Sequence, residues 1–223
     1  MNIIDKTIEY VKKELASIDA SHDFYHIQRV KNTALHIGKI EQLNSESIID
    51  LEVVSLAALL HDIKDYKYSG DEKQAEISIK NFLESLNYSV DNTNKIIYIV
   101  KNIGCKEELN NSDIKVNILP ELAIVQDADR LDAIGAIGIA RAFAYAGYKR
   151  NSFWNPAEKA RNNVSKDEYV EKGSTCVINH FYEKLFLLKD MMKTKTGREI
   201  AEQRHNFMER YVDQFFDEVN GNK

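Results

Sequence analysis

His61 and Asp62 stand side by side at the C-terminal end of an apolar run, Val53 to Leu60. Imidazole nitrogen and carboxylate oxygen are donors with which proteins hold a catalytic divalent cation, so the pair is a candidate metal site. An Asp at the end of a helix opposes the preference for cations at that pole of the helix dipole, which favours a functional reading. Further donors lie on both sides. His26 sits upstream in His22-Asp23-Phe24-Tyr25-His26-Ile27-Gln28-Arg29-Val30, and an acidic cluster, Asp127-Ala128-Asp129-Arg130-Leu131-Asp132, lies downstream. A hydrolytic cation needs such neutral imidazoles and carboxylates with positions left open; it lowers the pKa of water toward neutrality and offsets phosphoryl charge. Asp127 and Asp129 are two residues apart and point to different sides of a helix, so only one of them can readily be the ligand.

Helices must position these groups. Ile4, Ile8, Val11 and Leu15 place one apolar stripe on a first helix, and Ile27, Val30, Ala34, Leu35 and Ile37 place another on the segment carrying His26. His26 and Arg29, three residues apart, project from one face of it. Ser45 to Ile63 reads as one central helix, apolar on nearly all sides. Glu72–Leu86 and Asp91–Ile103 carry further stripes, and Pro120 suits the first turn of a helix carrying Ala123, Val125, Asp129 and Leu131. The small residues Ala133, Gly135, Ala136, Gly138, Ala140 and Ala142 permit close packing against a neighbour. Residues 147–165 have little periodicity, and Asn155-Pro156 marks them as an exposed excursion. Two long helices, Asp167–Met192 and Thr196–Val219, finish the chain. No alternating strand is found, so the fold class is all-α, and without a Pro/Gly/Ser-rich linker residues 1–223 read as one domain.

The order His26, His61-Asp62, Asp129, with Arg29-Val30 after the first His and Asp129-Arg130-Leu131-Asp132 at the last position, resembles the HD-domain superfamily of metal-dependent phosphohydrolases. The likeness spans Ser21 to Gly147. It implies a single-domain helical bundle with a motif core over 21–147 and C-terminal helices over 167–219 packing on it. It also implies His26, His61, Asp62 and Asp129 as metal ligands, Asp129 being the aspartate before a basic and a hydrophobic residue, and Mn²⁺ ahead of Mg²⁺, Co²⁺, Ni²⁺, Fe²⁺ or Zn²⁺. Asp127 is then a helix-flanking or supporting group. Beside these ligands, Arg29 and Arg130 are the candidate phosphate donors. Lys64 and Asp65 follow the His-Asp unit, Asp65 as general base or holder of the attacking water. Asp132 shares the Asp129 face and can orient a ligand or that water. His180 and Lys184 fall on one face of a segment that lines the pocket in relatives, Lys184 as a phosphate contact, and His22 is a further substrate-side candidate. Relatives often carry Ser or His where Ile103-Gly104-Cys105-Lys106 stands here. His36 and His205 read as ordinary packed or surface histidines, and Tyr145, Tyr148, Phe153 and Trp154 as core aromatics.

The Asp-Ala-Asp-Arg-Leu-Asp-Ala-Ile-Gly run and the His180-Phe181-Tyr182-Glu183-Lys184-Leu185 segment narrow the resemblance to bacterial nucleoside triphosphate pyrophosphohydrolases, which release a monophosphate and pyrophosphate. The rivals on the same scaffold are a nucleotidase, a cyclic-nucleotide phosphodiesterase, a guanosine-tetraphosphate hydrolase, and a non-catalytic nucleotide- or metal-binding module. A di-iron oxygenase needs additional histidines between the His-Asp unit and the last Asp, and none occurs between His61 and Asp129. A formal charge of −5 disfavours an extended nucleic-acid partner. It leaves a small nucleotide or other phosphorylated substrate open, because a bound cation reverses the local sign. Every apolar segment is broken well short of the roughly 20 residues of a membrane span. Two cysteines do not make a disulfide framework, and the N-terminus lacks a signal-peptide pattern, so a cytoplasmic protein is expected. A homodimer is left open.

Overall fold

The structure, a computed structural model, describes residues 1–15, 24–44, 48–63, 72–104, 118–161 and 176–223. Among the described residues all regular structure is helical, and the chain divides into two compact units, Met1–Asp129 and Arg130–Lys223.

In the first unit the helices are α1 (Ile3–Glu14), α2 (Phe24–Asn44), α3 (Leu51–Leu60), α4 (Glu72–Ser85), α5 (Val90–Asn102) and α6 (Pro120–Asp132), the unit boundary falling inside α6. Asn2 caps α1 by accepting the Asp5 N–H at 2.9 Å. The centre of the unit is α3, with every residue from Val53 to Leu60 buried against α1, α2 and α5. Helices that are apolar all round are stable only in such a position. Helix α2 comes close at Gly38, where an added Cβ would stand 2.8 Å from Leu51 Cδ2 and displace the end of that side chain. The expected helix over residues 45–63 is shorter than its pattern implies. Asp50 has extended backbone and takes the Glu52 and Val53 N–H groups at 3.0 and 3.1 Å, which starts the helix at Leu51. Residues 45–47 lie outside the described residues.

Two side chains of α6 tie it to its neighbours. Glu121 accepts the Asp50 N–H at 2.9 Å, and Gln126 Nε2 donates to the Asn102 carbonyl at the end of α5 at 2.7 Å.

The second unit holds the end of α6, α7 (Gly135–Lys149), α8 (Val177–Glu183), a 3-10 helix (Leu185–Met191) and α9 (Lys195–Val219). Here α9 packs on α7 and the 3-10 helix, and Phe181, fully buried, stacks on Tyr211 at 6.0 Å between ring centroids. Three expectations are corrected. The helix expected over Asp167–Met192 breaks at Lys184 (φ −144°, ψ −56°), and a 3-10 turn follows, whose three-residue repeat buries Leu185 and Leu188 on one side; residues 162–175 lie outside the described ones. The expected excursion from 147 begins later and is tied down: α7 runs to Lys149, and the Ser152 and Phe153 carbonyls accept the Val177 and Ile178 N–H groups at 3.1 and 3.0 Å. The smallness of Gly138 serves its own turn more than a neighbouring helix, since a Cβ there would lie 2.2 Å from the Ala133 carbonyl oxygen.

Candidate metal centre

Three helices of the first unit each bring a donor to one place. His26 lies in the first turn of α2, buried on the face that also carries Ile27 and Val30. His61 ends α3 as its C-terminal cap, with Asp62 directly after it. Asp129 lies in the last turn of α6. His26 Nε2 is 3.4 Å from Asp62 Oδ2 and 3.5 Å from Asp129 Oδ1, and His61 Nε2 is 3.4 Å from Asp62 Oδ1 and 3.8 Å from Asp129 Oδ1. The imidazoles meet edge to face, with centroids 5.3 Å apart. One donor atom each from His26, His61 and Asp129 lies within 4.8 Å of the others, the one such group among the described residues.

The state of His61 makes the cluster suited to a cation. Its Nδ1 lies 2.9 Å from the Ala58 carbonyl, which can only accept, so Nδ1 carries the proton. In the neutral ring Nε2 is then the lone-pair nitrogen, and it is buried with no hydrogen-bond partner. Such an orphan costs about 1–3 kcal/mol unless something electron-poor meets it. Separations of 3.4 to 3.8 Å between each imidazole nitrogen and a carboxylate oxygen suit an ion held about 2.1 Å from its donors. Asp62, Asp129 and the carbonyl pole of α3 all point negative charge at the same spot, and a divalent cation compensates it.

The other sequence candidates are placed as follows. Arg29 is half-buried on α2, one turn from His26. Asp127 is completely buried, outside the cluster that contains Asp129. His22, Lys64, Asp65, Cys105 and Lys106 lie outside the described residues, while Ile103 and Gly104 are half-buried after α5. In the second unit Arg130 is buried, and its Nη1 donates to the Met191 carbonyl at 2.8 Å. Asp132, also buried, accepts from Arg141 Nη1 at 3.0 Å through its carboxylate and at 3.3 Å through its carbonyl. Both therefore have structural partners close in sequence or space. His180 is half-buried on α8; burial pushes its imidazole down to about 4, with Lys184 acting in the same direction. Lys184 is exposed at the end of α8. The Ala58 carbonyl and Gln126 escaped the sequence reading. A hydrogen bond to a backbone oxygen has no residue-type signature, and a Gln three residues before Asp129 is only a weak one.

The HD domain profile matches residues 23–134. The chain belongs to the HD-domain family. Bacillus subtilis YpgQ is 34% identical over 212 residues, covering 95% of this chain and 91% of that protein. A Lactobacillus plantarum crystal structure superposes with a TM-score of 0.79 at 32% identity, covering 98% of this chain and 97% of that one. A Bacillus thuringiensis HD-superfamily hydrolase gives 0.75 at 34% identity, with coverages of 97% and 96%. The crystal structure of YpgQ in complex with ADP gives 0.72 at 31% identity, with coverages of 99% and 100%. This HD protein is an all-α metal-dependent phosphohydrolase, and its His26, His61 and Asp129 donors are positioned for a divalent metal. No described helix is long and apolar enough to cross a membrane.

Proposed function

We propose that this HD hydrolase cleaves nucleoside triphosphates to the monophosphate and pyrophosphate, with Mn²⁺ held by His26, His61, Asp62 and Asp129. The observation that carries the metal reading is the His61 tautomer, fixed by Ala58 so that a lone pair faces two carboxylates. A nucleotide substrate is supported by the likeness to YpgQ, whose crystal structure was obtained with ADP.

When bound, the cation lowers the pKa of water and screens the phosphate charge that would repel a nucleophile. The chain's own residues do the rest. Asp62 and Asp129 balance the added positive charge, and Ala58 keeps the His61 ring from turning. Arg29, one turn from His26, donates to phosphate oxygens, and Lys184, His180 and His22 are the further substrate contacts of this reading. Asp65, after Lys64, accepts the proton of the water whose oxygen attacks the α-phosphorus. The bond from that phosphorus to the bridging oxygen then breaks, and the oxygen leaves with the electron pair on pyrophosphate. Arg130 and Asp132, engaged by Met191 and Arg141, act by stiffening the chain next to Asp129. The cytoplasm, with its nucleotide pool, is the proposed location.

The test is product analysis after incubating the protein with Mn²⁺ and nucleoside mono-, di- and triphosphates, beside Asp62→Ala. Pyrophosphate appearing with a monophosphate, and absent in Asp62→Ala, is the expected result. Orthophosphate released from monophosphates would replace this reading with a nucleotidase, and turnover surviving in Asp62→Ala would overturn the site.

A further inference from the structure

Of the four proposed donors, Asp129 alone comes from α6, so the site is only as well defined as the axial position of that helix. The buried surface of α6 is largely apolar: Leu122, Ala123, Ile124, Val125, Ala128 and Leu131 are all buried, and apolar burial is non-directional. A slide by one residue moves Asp129 by about 1.5 Å, whereas metal–ligand distances hold to about 0.2 Å. Directional contacts hold the register: Glu121 accepts the Asp50 N–H at the start of α6, and a second contact stands nearer the ligand.

Gln126 has that character. It is 1% exposed, one helical turn before Asp129, and its Nε2 reaches across to the Asn102 carbonyl at 2.7 Å. That carbonyl belongs to the last residue of α5 and has no acceptor role inside its own helix. Donation through Nε2 settles which end of the amide points there and leaves Oε1 buried with no hydrogen-bond partner. A half-satisfied buried amide is costlier than a Leu or Met of the same size. Buried polar groups retained against stability are best attested where they set helix register.

We propose that Gln126 is a positioning residue for Asp129, keying α6 to the end of α5 so that the carboxylate stands at cation-binding distance from His26 and His61. The inference rests on the metal reading of the site. Its test is direct Mn²⁺ binding, by equilibrium dialysis and by the electron paramagnetic resonance of free Mn²⁺, on wild type, Gln126→Met and the control His61→Ala, with thermal unfolding of each metal-free protein. Gln126→Met keeps the volume and loses the donor. It is expected to bind Mn²⁺ about tenfold more weakly while its metal-free Tm stays at or above that of wild type. Gln126→Leu serves the same purpose if the Met variant does not fold. A Gln126→Met affinity equal to wild type, with His61→Ala weakened, overturns the positioning role alone. Equal binding by wild type and His61→Ala overturns the metal reading and this inference with it. An affinity loss matched by a fall in Tm makes Gln126 a packing residue and also overturns it.

Discussion

Cation binding should be visible as stability. His61 Nε2 is buried without a hydrogen-bond partner, and carboxylate oxygens of Asp62 and Asp129 lie within 3.8 Å of it, a concentration of negative charge that a divalent cation offsets. A ligand that binds only the folded state stabilises it by RT ln(1 + [L]/Kd), about 2.7 kcal/mol at a hundredfold excess over Kd. For a chain of 223 residues each kcal/mol moves Tm by about 2–4 °C, so saturating Mn²⁺ should raise Tm by about 5–10 °C over the chelated protein. Differential scanning fluorimetry against Mn²⁺ concentration measures it. His61→Ala loses a ligand and the orphan nitrogen together, and its shift should fall below about 2 °C. Asp129→Asn should lose most of the shift and Asp127→Asn should keep it. An unmoved Tm for wild type across divalent ions, or equal shifts for wild type and His61→Ala, would refute the reasoning; the reverse ranking of the aspartates would move the ligand to Asp127.

Two further outcomes follow from the second unit. Glu183 has a fully buried side chain that accepts from Arg161 N–H and Nε at 3.0 Å each and from Nη2 at 2.9 Å. Glu183→Gln should therefore cost about 3 kcal/mol in a urea-unfolding experiment, and the apolar double replacement Arg161→Met/Glu183→Leu should recover much of it; a Glu183→Gln loss under about 1 kcal/mol would contradict a buried ion pair. His180 titrates at about 4 when folded, below its ordinary 6.5, so the folded state resists the proton that the unfolded chain takes up. Its contribution is intact above pH 6.5 and is lost as pH falls toward 4, by on the order of 3 kcal/mol. His180→Asn, compared with wild type in chelator, should flatten the decline of the urea midpoint over that window, and parallel profiles would count against it.

Much of the architecture was readable from periodicity. α1, α2, α4, α5, α6 and α9 stand close to where their apolar stripes place them, because a surface helix must repeat its apolar positions every three or four residues. The break at Lys184 was not readable, since Phe181, Leu185 and Leu188 are spaced as an α-helix would space them and a 3-10 turn buries the same residues. The late start of the helix within the Ser45–Ile63 pattern turned on one capping carboxylate, Asp50, inside a run of helix-compatible residues. At the site, residue types together with the family resemblance brought His26, His61, Asp62 and Asp129 to attention, and the structure sets each of the two histidines 3.4 to 3.8 Å from the two carboxylates. For Arg130 and Asp132 the sequence showed only charge beside a ligand, and the structure adds their partners, the Met191 carbonyl and Arg141.

The burial of α3 bears on how the site survives ordinary fluctuation. Every residue from Val53 to Leu60 is buried, and the backbone of such a core helix exchanges its hydrogens mainly through large-scale opening. His61 and Asp62 are attached to the end of that segment, while Asn2 and Asn44 mark helix ends where fraying is cheap. Local breathing at the periphery can therefore come and go while half of the donor set stays anchored, so a protease or a warm cell that nicks the rim leaves that half in place until the whole unit gives way.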